Sequence, residues 1–211
     1  MPCTEDAISP NAVTEPGEVC ALSPVRNRRR SDIVTAAFAL AVHGYDAVQL
    51  RVVADRAGVA TGTVYQYFSS KDDLLMACFH RWILTSERAI RHELALIDDP
   101  AGRLHRVVRD MTESLCAAGV FAESVSRAYL CADQGANANA EHARDALSRV
   151  FAGVDPSDIS PDGFLEVSGL FADCWVMNVL SVVHGRITVE ELHRRLTRTA
   201  SVLMVDTAAA R

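Results

Sequence analysis

The stretch from Arg51 to Leu75 reads RVVADRAGVATGTVYQYFSSKDDLL, and its polar residues are suited to one kind of chemistry. A glutamine amide such as Gln66 matches the adenine edge, and Thr63 can meet a thymine methyl or a base edge. Tyr65 and Tyr67 carry hydroxyls suited to backbone phosphates. Gly62 removes a side chain where a backbone could approach a nucleic acid. Thr61 stands where it can cap a short helix, whose free N–H groups and positive dipole end suit a phosphate. Lys71 is the only lysine against twenty arginines. It opens the next helix, where a cation opposes the local dipole, so a phosphate contact explains it better than helix stability does. With Arg51, these residues form a candidate contact set for double-stranded DNA.

Specific elements must hold that set. A helix is predicted from about Leu50 to Ala57, broken by Gly58, and a second short helix from Thr61 to Phe68. Val53, Ala54 and Ala57 give the first a small apolar face, Val59 fills the turn, and Val64 and Phe68, at i and i+4, anchor the second inward. Small residues let the two helices cross closely, the packing logic of a helix-turn-helix. A lone Y-x-Y-F would fit a plain hairpin with core tyrosines equally well; the whole string in order favours the helix-turn-helix. Upstream, a helix starts near Ser31 or Asp32 with an apolar stripe of Ile33, Ala36, Ala37, Leu40 and Ala41, and Gly44 stops it in the left-handed C′ role. Arg26 to Arg30 lead into it, either as an arm near the minor groove or as a mobile solvated run. Downstream, one long helix runs from Lys71 to about Ile97, closed by Asp98, Asp99 and Pro100.

Beyond Pro100 helices are predicted at about 101–118, 121–133, 138–152, 162–185 and 188–206, with no sustained strand alternation. Thr188 and Glu191 form a capping box, and Leu192, Leu196, Thr199 and Leu203 form the inner stripe of the last helix. The fold class is therefore all-α. An acidic tail read as disordered over 1–25 precedes a three-helix DNA-binding domain at 26–75, and a helical bundle for ligand binding and dimerisation occupies 98–211.

The net charge of −6 hides its distribution: −4 over residues 1–25, +3 over 26–81 and −5 beyond, so a basic module sits in an acidic chain. Six cysteines are scattered with no C-x-x-C pair, and no histidine pair has metal-ligand spacing. This suits buried thiols in a reducing cytosol, with no metal or cofactor. No secretory signal is visible, and Val167 to Val183, the most apolar stretch, is short for a membrane span and contains Asp173 and Asn178.

Met111, Leu115, Cys116, Phe121, Tyr129, Phe171, Trp175 and Asn178 are the candidates for a ligand pocket, with Tyr129 and Asn178 as the orienting polar groups. The helix holding Phe171, Cys174, Trp175, Met177 and Asn178 is apolar nearly all round and must be covered on several sides. That favours a homodimer, with Ser168, Gly169, Ala172 and Ser181 permitting close approach. Cys174 beside Asp173, or His184 after Ser181, lacks any supporting nucleophile, phosphate-loop or metalloprotease motif, so no enzyme is expected. Redox sensing through a cysteine, still coupled to DNA binding, is the alternative to ligand sensing.

Residues 28–88 resemble the DNA-binding domain of the TetR family of regulators. The residues that carry the likeness are Ile33, Ala36, Gly44, Tyr45, Ala54, Gly58, Val59, Thr63, Val64, Tyr65, Tyr67, Phe68, Lys71 and Leu74. The resemblance implies a homodimer on an inverted repeat, mostly repressing, released when a small ligand binds the C-terminal domain. SVSRAYLCAD at 124–133 and FADCWVMNVLSVVHGRIT at 171–188 are similar to a subgroup, the KstR-type repressors of cholesterol catabolism in actinobacteria. That likeness implies a small hydrophobic effector of sterol or acyl type, a sterol-derived acid or its coenzyme A thioester.

Overall fold

The computed structural model describes residues 24–131, 137–153 and 162–209, with the side chains of Pro100, Asn137, 162–167 and 203–209 excepted. The tail read over 1–25 lies outside these residues save for Pro24 and Val25, and the side chain of Leu203 of the expected inner stripe is not among those described. The described residues form nine α-helices and no strand: α1 Pro24–Ala41, α2 Leu50–Ala57, α3 Thr61–Tyr67, α4 Lys71–Leu94, α5 Pro100–Ala117, α6 Val120–Cys131, α7 Asn137–Ala152, α8 Asp162–Val183 and α9 Val189–Ala209. A single 3-10 turn at Tyr45–Ala47 separates α1 from α2.

Several helix ends differ from the sequence reading. α1 begins at Pro24 rather than Ser31, because proline at a first turn costs no hydrogen bond. The Arg26–Arg30 run is therefore helical, not an arm. Arg26 lies over the Tyr67 ring at 5.7 Å and Arg30 over Phe68 at 5.2 Å. Gly44 has φ 118° and ψ 160°, so it is not the expected left-handed cap but sits in a region open essentially to glycine alone. Gly58 is the left-handed residue, at φ 65° and ψ 34°, and its N–H returns to the Ala54 and Asp55 carbonyls.

Thr61 is not the cap of α3. Ala60 occupies that position without a side-chain hydrogen bond, and Thr61 is the first helical residue. α4 is capped by Ser70, whose hydroxyl accepts from the Asp73 amide at 3.1 Å, with Asp72 and Asp73 favouring the positive dipole end. It stops at Leu94, before the expected Ile97. Asp98, Asp99 and Pro100 are less a stop than a start: Asp99 accepts from the Ala101 and Gly102 amides and Pro100 takes the first turn of α5. Thr188 caps α9 through the Glu191 amide at 3.2 Å. The Glu191 carboxylate turns instead to Arg194 and Arg195.

α4 is the spine. It packs against α1 on one side and against α5, α6 and α7 on others, while α8 lies between α7 and α9. Ile33, Ala37, Val53, Ala54, Val64, Phe68 and Leu74 close a small core around α1–α3, continuous along α4 with the core of the later helices. There Trp175 is fully buried, its Nε1 donating to Thr112 Oγ1 at 3.0 Å and its ring 5.8 Å edge-on to Phe151. No helix of the described residues is long and apolar enough to cross a membrane.

Candidate nucleic-acid interface and ligand cavity

α3 is held by Val64, with Phe68 just past its end; both are buried. That anchoring leaves Gly62, Tyr65 and Gln66 exposed and Thr61, Thr63 and Tyr67 half-buried, while Arg51 on α2 is exposed. A Cβ added at Gly62 would meet nothing within 4 Å. No contact inside the protein demands glycine there, and the free room is outside. Short donors and acceptors, two phenols and a bare stretch of backbone thus share a surface narrow enough for a DNA groove.

Lys71 is less free than the sequence suggested. Its ammonium lies 3.6 Å from the centroid of the Tyr45 ring, donates to the Tyr45 carbonyl at 3.3 Å and faces Asp46 at 3.8 Å. Arg127 of α6 covers the same ring at 4.1 Å and also reaches Asp46, at 3.6 Å. Tyr45 donates its hydroxyl to Asp72 at 2.7 Å. Burial first, then that carboxylate, push its phenol up to about 12. One tyrosine between two cations therefore ties the turn before α2 to α4 and α6. A phosphate at Lys71 would share an ammonium already engaged.

A second polar link was not foreseen. Asp73 is 5% exposed and accepts from the Ser69 amide at 2.8 Å, from the Ser69 hydroxyl at 3.2 Å and from the Asn139 side-chain amide. Asn139, on α7 and equally buried, accepts in turn from the Arg30 guanidinium at 2.7 Å. The loop leaving α3 is thereby bonded through α4 to α7 and back to α1.

The eight expected pocket residues do not line one cavity. Phe121 faces α1, its ring 4.6 Å from Phe38. Trp175 and Met111 are core. Asn178 donates its amide back to the Cys174 carbonyl of its own helix at 2.8 Å. Cys116 is half-buried, which pushes its thiol up. Tyr129 sits at the surface edge, its phenol raised by burial and then by Asp173. Leu115 and Tyr129 border a narrow seam of about 10 Å³, room for about one water. Phe171 alone among the eight reaches the larger cavity, about 170 Å³ between α5, α8 and α9. That cavity has a sequence signature in retrospect. Ala101, Leu104, His105 and Val108 on α5, and His193, Leu196, Thr197 and Ala200 on α9, repeat the same i, i+3, i+4, i+7 face. Pairing those faces required the tertiary structure.

Three of the small residues expected at a subunit contact point inward instead. Ser168 and Ala172 are buried, and a Cβ at Gly169 would lie 3.1 Å from the Arg144 guanidinium, which pairs with Asp173 at 2.7 Å through both nitrogens. What α8 leaves outside is Leu170 and Met177, each more than half exposed. Cys78 is buried, and its thiol is pushed up to about 12 by that burial, the opposite of a reactive thiolate. Among the described residues no group of three potential metal ligands gathers.

Comparison with known proteins places these features. Residues 33–78 match the model for bacterial regulatory proteins of the tetR family, and residues 98–203 match the tetracyclin repressor-like C-terminal domain. The chain is 30% identical over 200 residues to the HTH-type transcriptional repressor KstR of Rhodococcus jostii (strain RHA1), covering 90% of this chain and 89% of that one. It is 28% identical over 189 residues to KstR of Mycobacterium tuberculosis, covering 89% and 86%. Among solved structures, a TetR transcriptional regulator from Rhodococcus sp. RHA1 superimposes with a TM-score of 0.72 at 23% identity, over 85% of this chain and 97% of that one. Thermus thermophilus FadR, a TetR-family repressor in complex with lauroyl-CoA, superimposes with a TM-score of 0.62 at 20% identity, over 83% and 93%.

Proposed function

Since the chain belongs to the TetR family of bacterial transcriptional regulators, we propose that it binds an inverted-repeat operator as a homodimer through α3 and is released by a small apolar effector held among α5–α9. The observation that carries this reading is the continuity of α4. Its first turn is bonded to the loop leaving α3 through Asp73 and Ser69, and its body packs against α5, α6 and α7. A tilt of α4 therefore moves the reading helix. The exposed Leu170 and Met177 of α8 supply apolar surface for a second copy. The contact set is Arg51, Thr61, Gly62, Thr63, Tyr65, Gln66, Tyr67 and Lys71, and the protein acts in the cytoplasm.

For the effector, the resemblance to repressors of cholesterol catabolism favours a sterol-derived acid or its coenzyme A thioester. The lauroyl-CoA bound by Thermus thermophilus FadR supports acyl thioesters as the neighbouring class. An effector must bind the state that does not hold DNA more tightly, and a hundredfold change in DNA affinity needs about 2.7 kcal/mol of coupling.

One titration tests the reading: operator affinity followed across salt, with and without effector. Affinity is expected to fall steeply with salt, and Lys71→Ala to weaken all duplexes alike and lower the slope by about one for each lysine removed. A sterol acid or acyl thioester is expected to weaken the wild-type complex. An unchanged slope would reduce Lys71 to its support of Tyr45, and indifference to every such ligand would remove the effector.

A further inference from the structure

We propose that Arg127 of α6 is a positioning residue for DNA binding: it takes over the carboxylate of Asp46 and so releases the Lys71 ammonium to a backbone phosphate. The inference rests on the phosphate role given to Lys71 above. It adds to that role a residue of the C-terminal bundle that does not itself touch DNA.

Two cations share one set of partners. Lys71 Nζ lies 3.6 Å from the centroid of the Tyr45 ring and 3.8 Å from Asp46 Oδ1. The Arg127 guanidinium carbon lies 4.1 Å from the same centroid, and Arg127 Nη1 is 3.6 Å from Asp46 Oδ2. The other carboxylate at the ring, Asp72, is already engaged, accepting from the Tyr45 hydroxyl at 2.7 Å. Among the described residues Asp46 is the one acid paired with both cations. Like charges repel, so each cation loosens the hold of Asp46 on the other. With Arg127 in place, Lys71 can leave and Asp46 stays paired. Without Arg127, the same departure leaves Asp46 with no counter-charge, and the lysine is held back.

Side-chain chemistry decides which cation leaves. The Asp46 side chain is 84% exposed, so its ion pairs are weak and exchange at small cost. A planar guanidinium stacks well on an aromatic face, whereas an ammonium on a flexible stem is free to swing. Lys71 also opens α4, three residues beyond Phe68 at the end of α3, beside the surface assigned to DNA. Arg127 is firmly placed. Val120, Ser124 and Arg127 recur at i, i+4 and i+7 and so share one face of α6. Ser124 Oγ is 3.2 Å from the Ala41 carbonyl oxygen at the end of α1. A Cβ at Gly44, next to Tyr45, would lie 3.9 Å from Val120 Cγ1. That face of α6 is docked on the end of α1 and on the turn that carries Tyr45 and Asp46.

The test is the affinity of the full chain for a random-sequence duplex, because a phosphate contact carries no base information. It is run at about 0.15 M salt, where exposed charges more than about 8 Å apart are largely screened. Arg127→Ala is expected to weaken binding about two- to fivefold per chain, the range of an exposed ion pair. Asp46→Asn added to it should restore the affinity, since the lysine then has no competing carboxylate. In a Lys71→Ala chain, Arg127→Ala should have no further effect. Thermal unfolding confirms that each variant folds. Wild-type affinity in Arg127→Ala, or a loss that Asp46→Asn leaves unrepaired, would overturn the inference. So would an equal loss in the Lys71→Ala background, which would show that Arg127 touches DNA itself or only supports the turn. A Lys71→Ala chain that binds as the wild type does would remove the phosphate role and this inference together. A weakened Lys71→Ala chain whose loss simply adds to that of Arg127→Ala would remove this inference alone.

Discussion

Trp175→Ala is expected to lower stability by about 3–5 kcal/mol, the range for truncating a fully enclosed large aromatic side chain. Trp175 is 0% exposed and packs edge-on against Phe151. The loss is mainly a cavity. Thr112 keeps its own hydroxyl bond to the Val108 carbonyl at 2.6 Å when the indole N–H leaves, so no donor is stranded. Trp175→Phe should therefore cost distinctly less. Equilibrium denaturation at fixed protein concentration measures both, because the proposed dimer would make apparent stability concentration-dependent. A loss within about 1 kcal/mol for the alanine variant would return Trp175 to a cavity wall that can collapse or fill.

Asp73→Ala carries the second large effect, on stability and DNA binding together. It removes the acceptor of the Ser69 amide and of the buried Asn139 side-chain amide. An unsatisfied buried group such as the Asn139 amide costs about 1–3 kcal/mol. Because Ser69 directly follows Phe68, the anchor at the end of α3, operator affinity should fall beyond what instability explains. Asn139→Ala attacks the same link from α7 and should also strand Arg30. A double-mutant cycle should give a coupling energy above about 0.5 kcal/mol between the two positions. Additive effects would show that α7 and the loop after α3 are independent.

The sequence announced the front of the molecule better than the back, and the reason is physical. The bounds of α2 and α3 follow from local signals: Gly58 at a left-handed position and the Val64 and Phe68 pair. The later helices were also legible, because caps such as Thr188 and breaks such as Gly119 and Gly185 are local. The start of α1 was hidden because a polar arginine run shows no apolar period, although Pro24 is an acceptable first residue. The cavity was missed because it depends on which helix meets which. Phe121 is as apolar as a pocket wall should be, yet α6 passes beneath α1 and the ring meets Phe38. Asn139 carried no signal as one asparagine in an Asn-Ala repeat, and only burial beside Asp73 gives it a role.

Selection of bound sequences from a randomised duplex library by the full chain, repeated with Gln66→Ala, tests α3 as the reading helix most directly. An inverted repeat should be enriched and bound by two chains, with half-sites about 34–36 Å apart or somewhat more if the DNA deforms. Gln66→Ala should relax one position in each half-site, worth about 1–3 kcal/mol of discrimination. No enriched sequence, or an enriched sequence that Gln66→Ala selects and binds as the wild type does, would contradict the assignment of α3 as the reading helix.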